Sequence, residues 1–147
     1  MAGNYLIAYT SMTGNTEEIA EEIAEGIRRA GVNVEIKDIL VVDAEDLLHY
    51  DGILLGTYTW GDGDLPDEFL DFYEEMDQLN LTGVKAAVFG SYDSSYGNMG
   101  NAVNILMEKL TVLGARVVLE GLKIELAPTD EEKVLCRQFG KDFVMKR

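Results

Sequence analysis

Cysteine is nearly absent: Cys136 is the only one in 147 residues, so no internal disulfide can form and the chain fits a reducing compartment. Basic residues are scarce as well, with 12 Lys and Arg against 27 Asp and Glu and a net charge of −15. Such a surface repels polyanions, which argues against nucleic acid or an anionic membrane as a partner. It favours a basic protein partner and a monomer. No run approaches the roughly 18 apolar residues that a membrane helix needs. The short apolar run at 5–9 lacks the basic lead and small-residue cleavage pattern of a secretory signal, so a cytoplasmic location is expected. The sequon Asn80-Leu81-Thr82 is too short a pattern to argue for secretion. Histidine is present once, as His49, which reads as a surface residue.

What is there points to a folded chain. Apolar residues make up 47% and aromatics 9%, and 147 residues form one domain, 1–147, with a core large enough to need no staples. The hydrophobic period switches repeatedly. Residues 5–9 form a continuous apolar run, as in a strand buried on both faces. From Thr16 the period becomes helical, with Ile19, Ala20, Ile23, Ala24, Ile27 and Ala30 on one stripe, acidic residues in the first turn, Arg28 and Arg29 in the last, and Gly31 as a stop. Further strands are expected at 32–36, 52–56, 84–89 and 116–126, and further helices from Pro66, at 102–113 and at 131–144. Strands alternating with helices define an α/β fold, a doubly wound parallel sheet in three α/β/α layers. In such a sheet a ligand binds beyond the carboxyl ends of the strands, where strand order reverses.

The loops at those ends are the unusual parts of the chain. The first, Thr10-Ser11-Met12-Thr13-Gly14-Asn15-Thr16, brings hydroxyls, a glycine and the start of a helix together, which suits a phosphate; the plainer alternative is an N-cap turn closed by Asn15 or Thr16. It lacks the Lys of a nucleotide-hydrolysing P-loop and the Cys or Arg of a phosphatase. Strands one and three end in Thr10 and Thr57, not in the acidic residues of a two-component receiver. The second loop, Thr57-Tyr58-Thr59-Trp60-Gly61-Asp62-Gly63-Asp64, carries the only tryptophan, flanked by glycine and polar residues where a stacking surface competes with a core role. The third, running from Gly90 to Asn98, adds Tyr92, Tyr96 and many backbone donors.

Two aromatic loops beside a phosphate cradle describe a site for a planar ring on a phosphorylated tail. With Leu-Lys-Ile-Glu-Leu-Ala-Pro at 122–128, these loops resemble those of the flavodoxins, small FMN-containing electron carriers, and in particular the short-chain Bacillus type; the resemblance spans essentially the whole chain. It implies five strands in the order 2-1-3-4-5, with FMN held non-covalently at the switch point. It places the FMN phosphate on Ser11, Thr13, Gly14, Asn15 and Thr16, with Met12 lining the loop through its backbone. Trp60 and Tyr96 would cover the two ring faces. The Gly61 peptide would turn to accept a hydrogen bond from N5 of the half-reduced flavin, Asp62 would follow beside the ring, and Asp93 would lie near the pyrimidine edge. Thr57, Tyr58, Thr59, Ser91, Tyr92, Asn98 and Met99 complete the implied cofactor-binding set. Departures from the family pattern fall at Tyr92, where many relatives have glycine, and at Met99-Gly100, which replace a commoner Phe-Cys.

The implied function is low-potential one-electron transfer between the neutral semiquinone and hydroquinone of FMN, with no catalytic residue and no metal. The implied partners are basic-surfaced reductases of the flavodoxin/ferredoxin-NADP reductase type and electron-accepting enzymes. An FMN enzyme such as a quinone reductase, or a non-redox FMN-binding module, are the competing readings. Residues 58–77 hold eight carboxylates and no Lys or Arg. At ~10 Å in water each would oppose an added negative charge by about 0.4 kcal/mol, approaching ~3 kcal/mol together.

Overall fold

A computed structural model describes residues 4–97 and 99–146 of the chain. The expected alternation is present. Strand β1 (Asn4–Tyr9) leads into helix α1 (Asn15–Arg29), followed by β2 (Asn33–Asp38), β3 (Gly52–Tyr58), α2 (Asp67–Glu75), β4 (Lys85–Tyr92), α3 (Asn101–Val112), β5 (Arg116–Val117), β6 (Leu122–Glu125) and α4 (Asp130–Met145). Short 3₁₀ turns at Ile39–Val41, Ala44–His49 and Ser94–Tyr96 fill stretches that the periodicity left without structure, and a fourth, Met76–Gln78, continues from α2 and takes in Met76, which the helical period places on that helix. His49 ends the second of these and is exposed, as expected.

All the strand pairs are parallel and run in the order β2-β1-β3-β4, with the fifth place beside β4 shared by β5 and β6. One long strand over 116–126 was expected, and here the sequence reading needs correction. The ladder is interrupted between Val117 and Leu122, where Gly121 passes so close to α3 that a Cβ there would lie 2.6 Å from Val103 and 2.8 Å from the Met107 sulfur. Residue-by-residue alternation cannot show a bend imposed by a helix packed on top.

The continuous apolar character of β1 has the expected cause. Leu6 and Ala8 face one core with Ile53, Leu55, Ala86 and Val88, covered by Phe69 and Phe72 of α2 and by Val103, Leu106 and Leu110 of α3. Tyr5, Ile7 and Tyr9 face the other with Leu54, Ala87 and Phe89, covered by Ile19, Ile23 and Ile27 of α1 and by Phe139 and Phe143 of α4. Full burial of each such aliphatic side chain contributes about 1.5–3 kcal/mol. Cys136 is buried in this second layer, and desolvation pushes its thiol up to about 12, so it packs as a small apolar residue.

At the amino end of the sheet, Lys85 is buried beneath the last turn of α4. Its ammonium donates to the carbonyls of Phe143 (2.7 Å) and Lys146 (2.9 Å) and lies over the rings of Tyr5 and Phe143. A cation there satisfies carbonyls that the end of a helix leaves unpaired and opposes the negative end of its dipole.

Two tyrosines tie the first helix and the edge strand to their neighbours. Tyr9 donates its hydroxyl to Glu17 at 2.8 Å, and Tyr50 donates to Glu35. Desolvation first, then the Glu17 bond, pushes Tyr9 up to about 12; for Tyr50 the Glu35 bond comes first and desolvation second, again to about 12. Because these folded-state values lie above the ordinary value of 10, their contribution to stability is complete below about pH 10 and is lost as pH rises through about 12. The expected result is a urea midpoint that falls across that window, with a late phase in the phenolate absorbance of the folded protein. Phenols that all titrate at the ordinary value would refute it.

Candidate functional site

Parallel pairing brings the carboxyl ends of β1, β3 and β4 to one edge, in the register Tyr9 beside Gly56 and Tyr58 beside Ser91. The three unusual loops therefore meet. They surround a cleft of about 520 Å³, within the usual size range for a small-molecule site. Met12, Thr13 and Asn15 come from the first loop and Tyr58, Thr59, Trp60 and Gly61 from the second; Ser91, Tyr92, Asp93 and Tyr96 come from the third.

In the first loop, the Thr10 N–H is spent on the Gly56 carbonyl at 3.0 Å, and Ser11 Oγ accepts from the Gly14 N–H at 3.0 Å. Gly14, at φ 89°, precedes the first turn of α1, and neither Asn15 nor Thr16 caps that turn with its side chain. The N-cap alternative is thus not what forms. The Thr16 hydroxyl points inward instead, 2.7 Å from Ser91 Oγ, with both residues buried. The loop presents hydroxyls and the positive end of a helix dipole to the cleft, an arrangement that receives a phosphate without a cation.

The second loop is a tight turn. The Trp60 N–H donates to the Asp64 carbonyl at 2.7 Å and the Asp64 N–H to the Trp60 carbonyl at 2.8 Å. Helix α3 fastens it: Asn101 Nδ2 donates to the Gly63 carbonyl at 2.8 Å, and the Ala102 N–H to Thr59 Oγ1 at 3.2 Å. The third loop is braced by β6, since Ser94 donates to the Glu125 carboxylate and the Leu126 N–H to the Tyr92 carbonyl at 2.8 Å. Within it the Asp93 carboxylate accepts from the Ser95 hydroxyl and N–H, which holds its pKa below the ordinary value.

The aromatics answer the core-versus-surface alternative. Trp60 is 50% exposed and Tyr96 67% exposed, on opposite loops of the same cleft. Among the described residues no Lys or Arg lines the cleft.

Six sequence-predicted residues are placed behind or beside this lining. Thr16 and Thr57 are buried, and the Thr57 hydroxyl donates to the Tyr58 carbonyl. Ser11 and Gly14 shape the first loop from within, Asp62 is exposed on the turn after Trp60, and Met99 is exposed just ahead of α3. Asn98 lies outside the described residues. One lining residue went unforeseen: Leu126, with φ 58°, the only non-glycine residue at positive φ among those described. Hydrophobic periodicity gives no sign of it; its place in the Leu-Ala-Pro run after β6 is the only available signal.

The acidic count also changes. Of the eight carboxylates at 58–77, Asp77 is paired with Lys109 and Glu68 accepts the Tyr58 hydroxyl. Pairing with Lys109 offsets the charge of Asp77, whereas the neutral Tyr58 phenol cancels none, and Asp62, Asp64, Asp67 and Asp71 remain exposed.

A doubly wound sheet with an apolar, aromatic-walled cleft at its switch point and a cation-free helix start beside it defines a flavin-nucleotide class of binding protein. The sequence pattern of the family described as Flavodoxin matches residues 7–140, and the chain belongs to the flavodoxin family. It is 49% identical over 140 residues to a probable flavodoxin 1 of Bacillus subtilis, covering 95% of this chain and 89% of that protein. It is 38% identical over 136 residues to the flavodoxin of Clostridium beijerinckii, covering 92% and 95%. Among solved structures, oxidised flavodoxin 1 from Bacillus cereus superposes with a TM-score of 0.93 at 57% identity, covering 97% of each chain. Flavodoxins are low-potential electron carriers that bind FMN non-covalently and serve redox partner proteins without converting a substrate.

The Thr16–Ser91 bond can be tested directly. Thr16→Val leaves the buried Ser91 hydroxyl without its partner, and a loss of about 1–3 kcal/mol in urea-unfolding free energy is expected. No change would show that the bond does not hold the two loops together.

Proposed function

We propose that the whole chain, 1–147, is one FMN-binding domain and that the cleft is its flavin site. The observation that carries this is a cleft lined by two solvent-accessible aromatics from different loops, Trp60 and Tyr96, and by Thr13 and Asn15 at a helix start, with no Lys or Arg among its described lining residues. The residues fit the cofactor in size, in apolar walls and in anion-accepting donors. Bound FMN supplies the one-electron chemistry.

The chain's own residues bind, orient and exclude water. Ser11, Thr13 and Asn15 receive the phosphate with side-chain and backbone donors, and Gly14, its N–H engaged by Ser11, lets the backbone approach closely; Thr16, its hydroxyl engaged by Ser91, contributes its backbone N–H. Trp60 and Tyr96 exclude water from the ring faces, with Tyr58, Thr59, Ser91, Tyr92 and Leu126 closing the walls. Asp93, kept ionised by Ser95, orients the polar ring edge, and Asp62 and Met99 sit at the rim. Gly61 has φ 56° and nothing within 4 Å of a would-be Cβ, so backbone conformation, not packing, is what a side chain there would disturb.

The acidic rim suits basic-surfaced reductases and electron-accepting enzymes. The large negative charge favours a monomer, and the single buried cysteine suits a cytoplasmic location. Among the described residues no helix is long and apolar enough to cross a membrane.

The deciding experiment is an anaerobic reductant titration of the protein with equimolar FMN, followed by absorbance. Two well-separated one-electron steps are expected; a single two-electron step, or no bound flavin, would overturn the proposal. Gly61→Val should lower the first midpoint potential and raise the second by about 40 mV each, closing the gap by about 80 mV, for each ~1 kcal/mol of hydrogen bonding lost; unchanged potentials would remove the role given to this peptide.

A further inference from the structure

The indole of Trp60 poses a problem that the turn around it does not solve. Hydrogen bonds to Asp64 fix the backbone of Trp60, but the side chain is half exposed, and an exposed side chain changes rotamer on the picosecond-to-nanosecond scale. A stacking surface that rotates freely must be ordered when a ligand binds, which costs affinity.

One ring touches the indole. Tyr58, at the end of β3, meets Trp60 edge to face, with centroids 6.5 Å apart and planes at 75°, a favoured aromatic geometry. Tyr58 is itself anchored, because its hydroxyl donates to Glu68 Oε1 at 2.5 Å from the first turn of α2. Desolvation and this bond push the phenol above its ordinary value, so it remains the donor across the neutral range. Glu68 does not line the cleft.

We propose that Glu68 and Tyr58 are positioning residues for Trp60: the carboxylate on α2 fixes the phenol, and the fixed phenol holds the indole in the cleft wall before the ligand arrives. The inference rests on the flavin-site reading above. It gives one of the eight acidic residues a structural role as an anchor in addition to its charge.

Trp60 is the only tryptophan, so time-resolved fluorescence anisotropy excited at the red edge reads its motion alone in the FMN-free full chain. Tyr58→Phe and Glu68→Ala should each speed the local rotation of the indole and weaken FMN binding by about threefold to tenfold. Glu68→Gln, whose amide oxygen still accepts from the phenol, should retain the slow rotation. Unchanged anisotropy in a natively folded Tyr58→Phe or Glu68→Ala protein overturns the proposal, as does a Glu68→Gln protein as mobile as Glu68→Ala. Should Tyr58→Phe not fold, the Glu68 pair decides alone. A chain that binds no FMN would refute the flavin-site reading, while the anisotropy would still decide what positions Trp60.

Discussion

The ligand end of this molecule depends on the parallel pairing of β1, β3 and β4. Parallel strands finish at the same edge, so the loops that follow them are neighbours however far apart they lie in the chain. Thr16 and Ser91, 75 positions apart in the chain, are joined by one buried hydroxyl pair, and the ties from Thr59 and Gly63 to the start of α3 complete the ring of contacts. Two apolar layers, one on each face of the sheet, keep that edge in place.

On this scaffold the site works with dipoles and aromatic surface in place of cations. A helix start with φ 89° at Gly14 offers backbone donors, and the adjoining walls are carbon-rich. Outside, exposed carboxylates dominate. This division suits the carrier role proposed above, in which an anionic tail would be held by short-range hydrogen bonds while the negative rim would act at longer range on the charge of a bound group and on the approach of a partner. The rim is less uniform than its composition suggests, since Asp77 is neutralised by Lys109 and Glu68 is occupied by Tyr58.

Much of the architecture was legible because helices and buried strands leave different hydrophobic periods, and because α1 carries acidic residues in its first turn and arginines in its last. The loops were legible for another reason: hydroxyls, glycines and a lone tryptophan sit where strands end. Less legible were features made by contact between distant residues. The break between β5 and β6 comes from the approach of α3 to Gly121, and the inward turn of the Thr16 hydroxyl comes from Ser91. Leu126 enters the cleft through a positive φ and a hydrogen bond to Tyr92, neither of which its residue type announces.

The sequence by itself determined the alternation of elements, the charge and the chemistry available in each loop, because these follow from local periodicity and residue type. Tertiary structure alone decided which side chains face the cleft, which hydroxyls are already spent on each other, and which carboxylates still act as charges. The physical reason is that a hydrogen bond or an ion pair belongs to two residues at once. For Thr16 and Ser91, Tyr58 and Glu68, and Asp77 and Lys109, only the fold brings the second residue within reach.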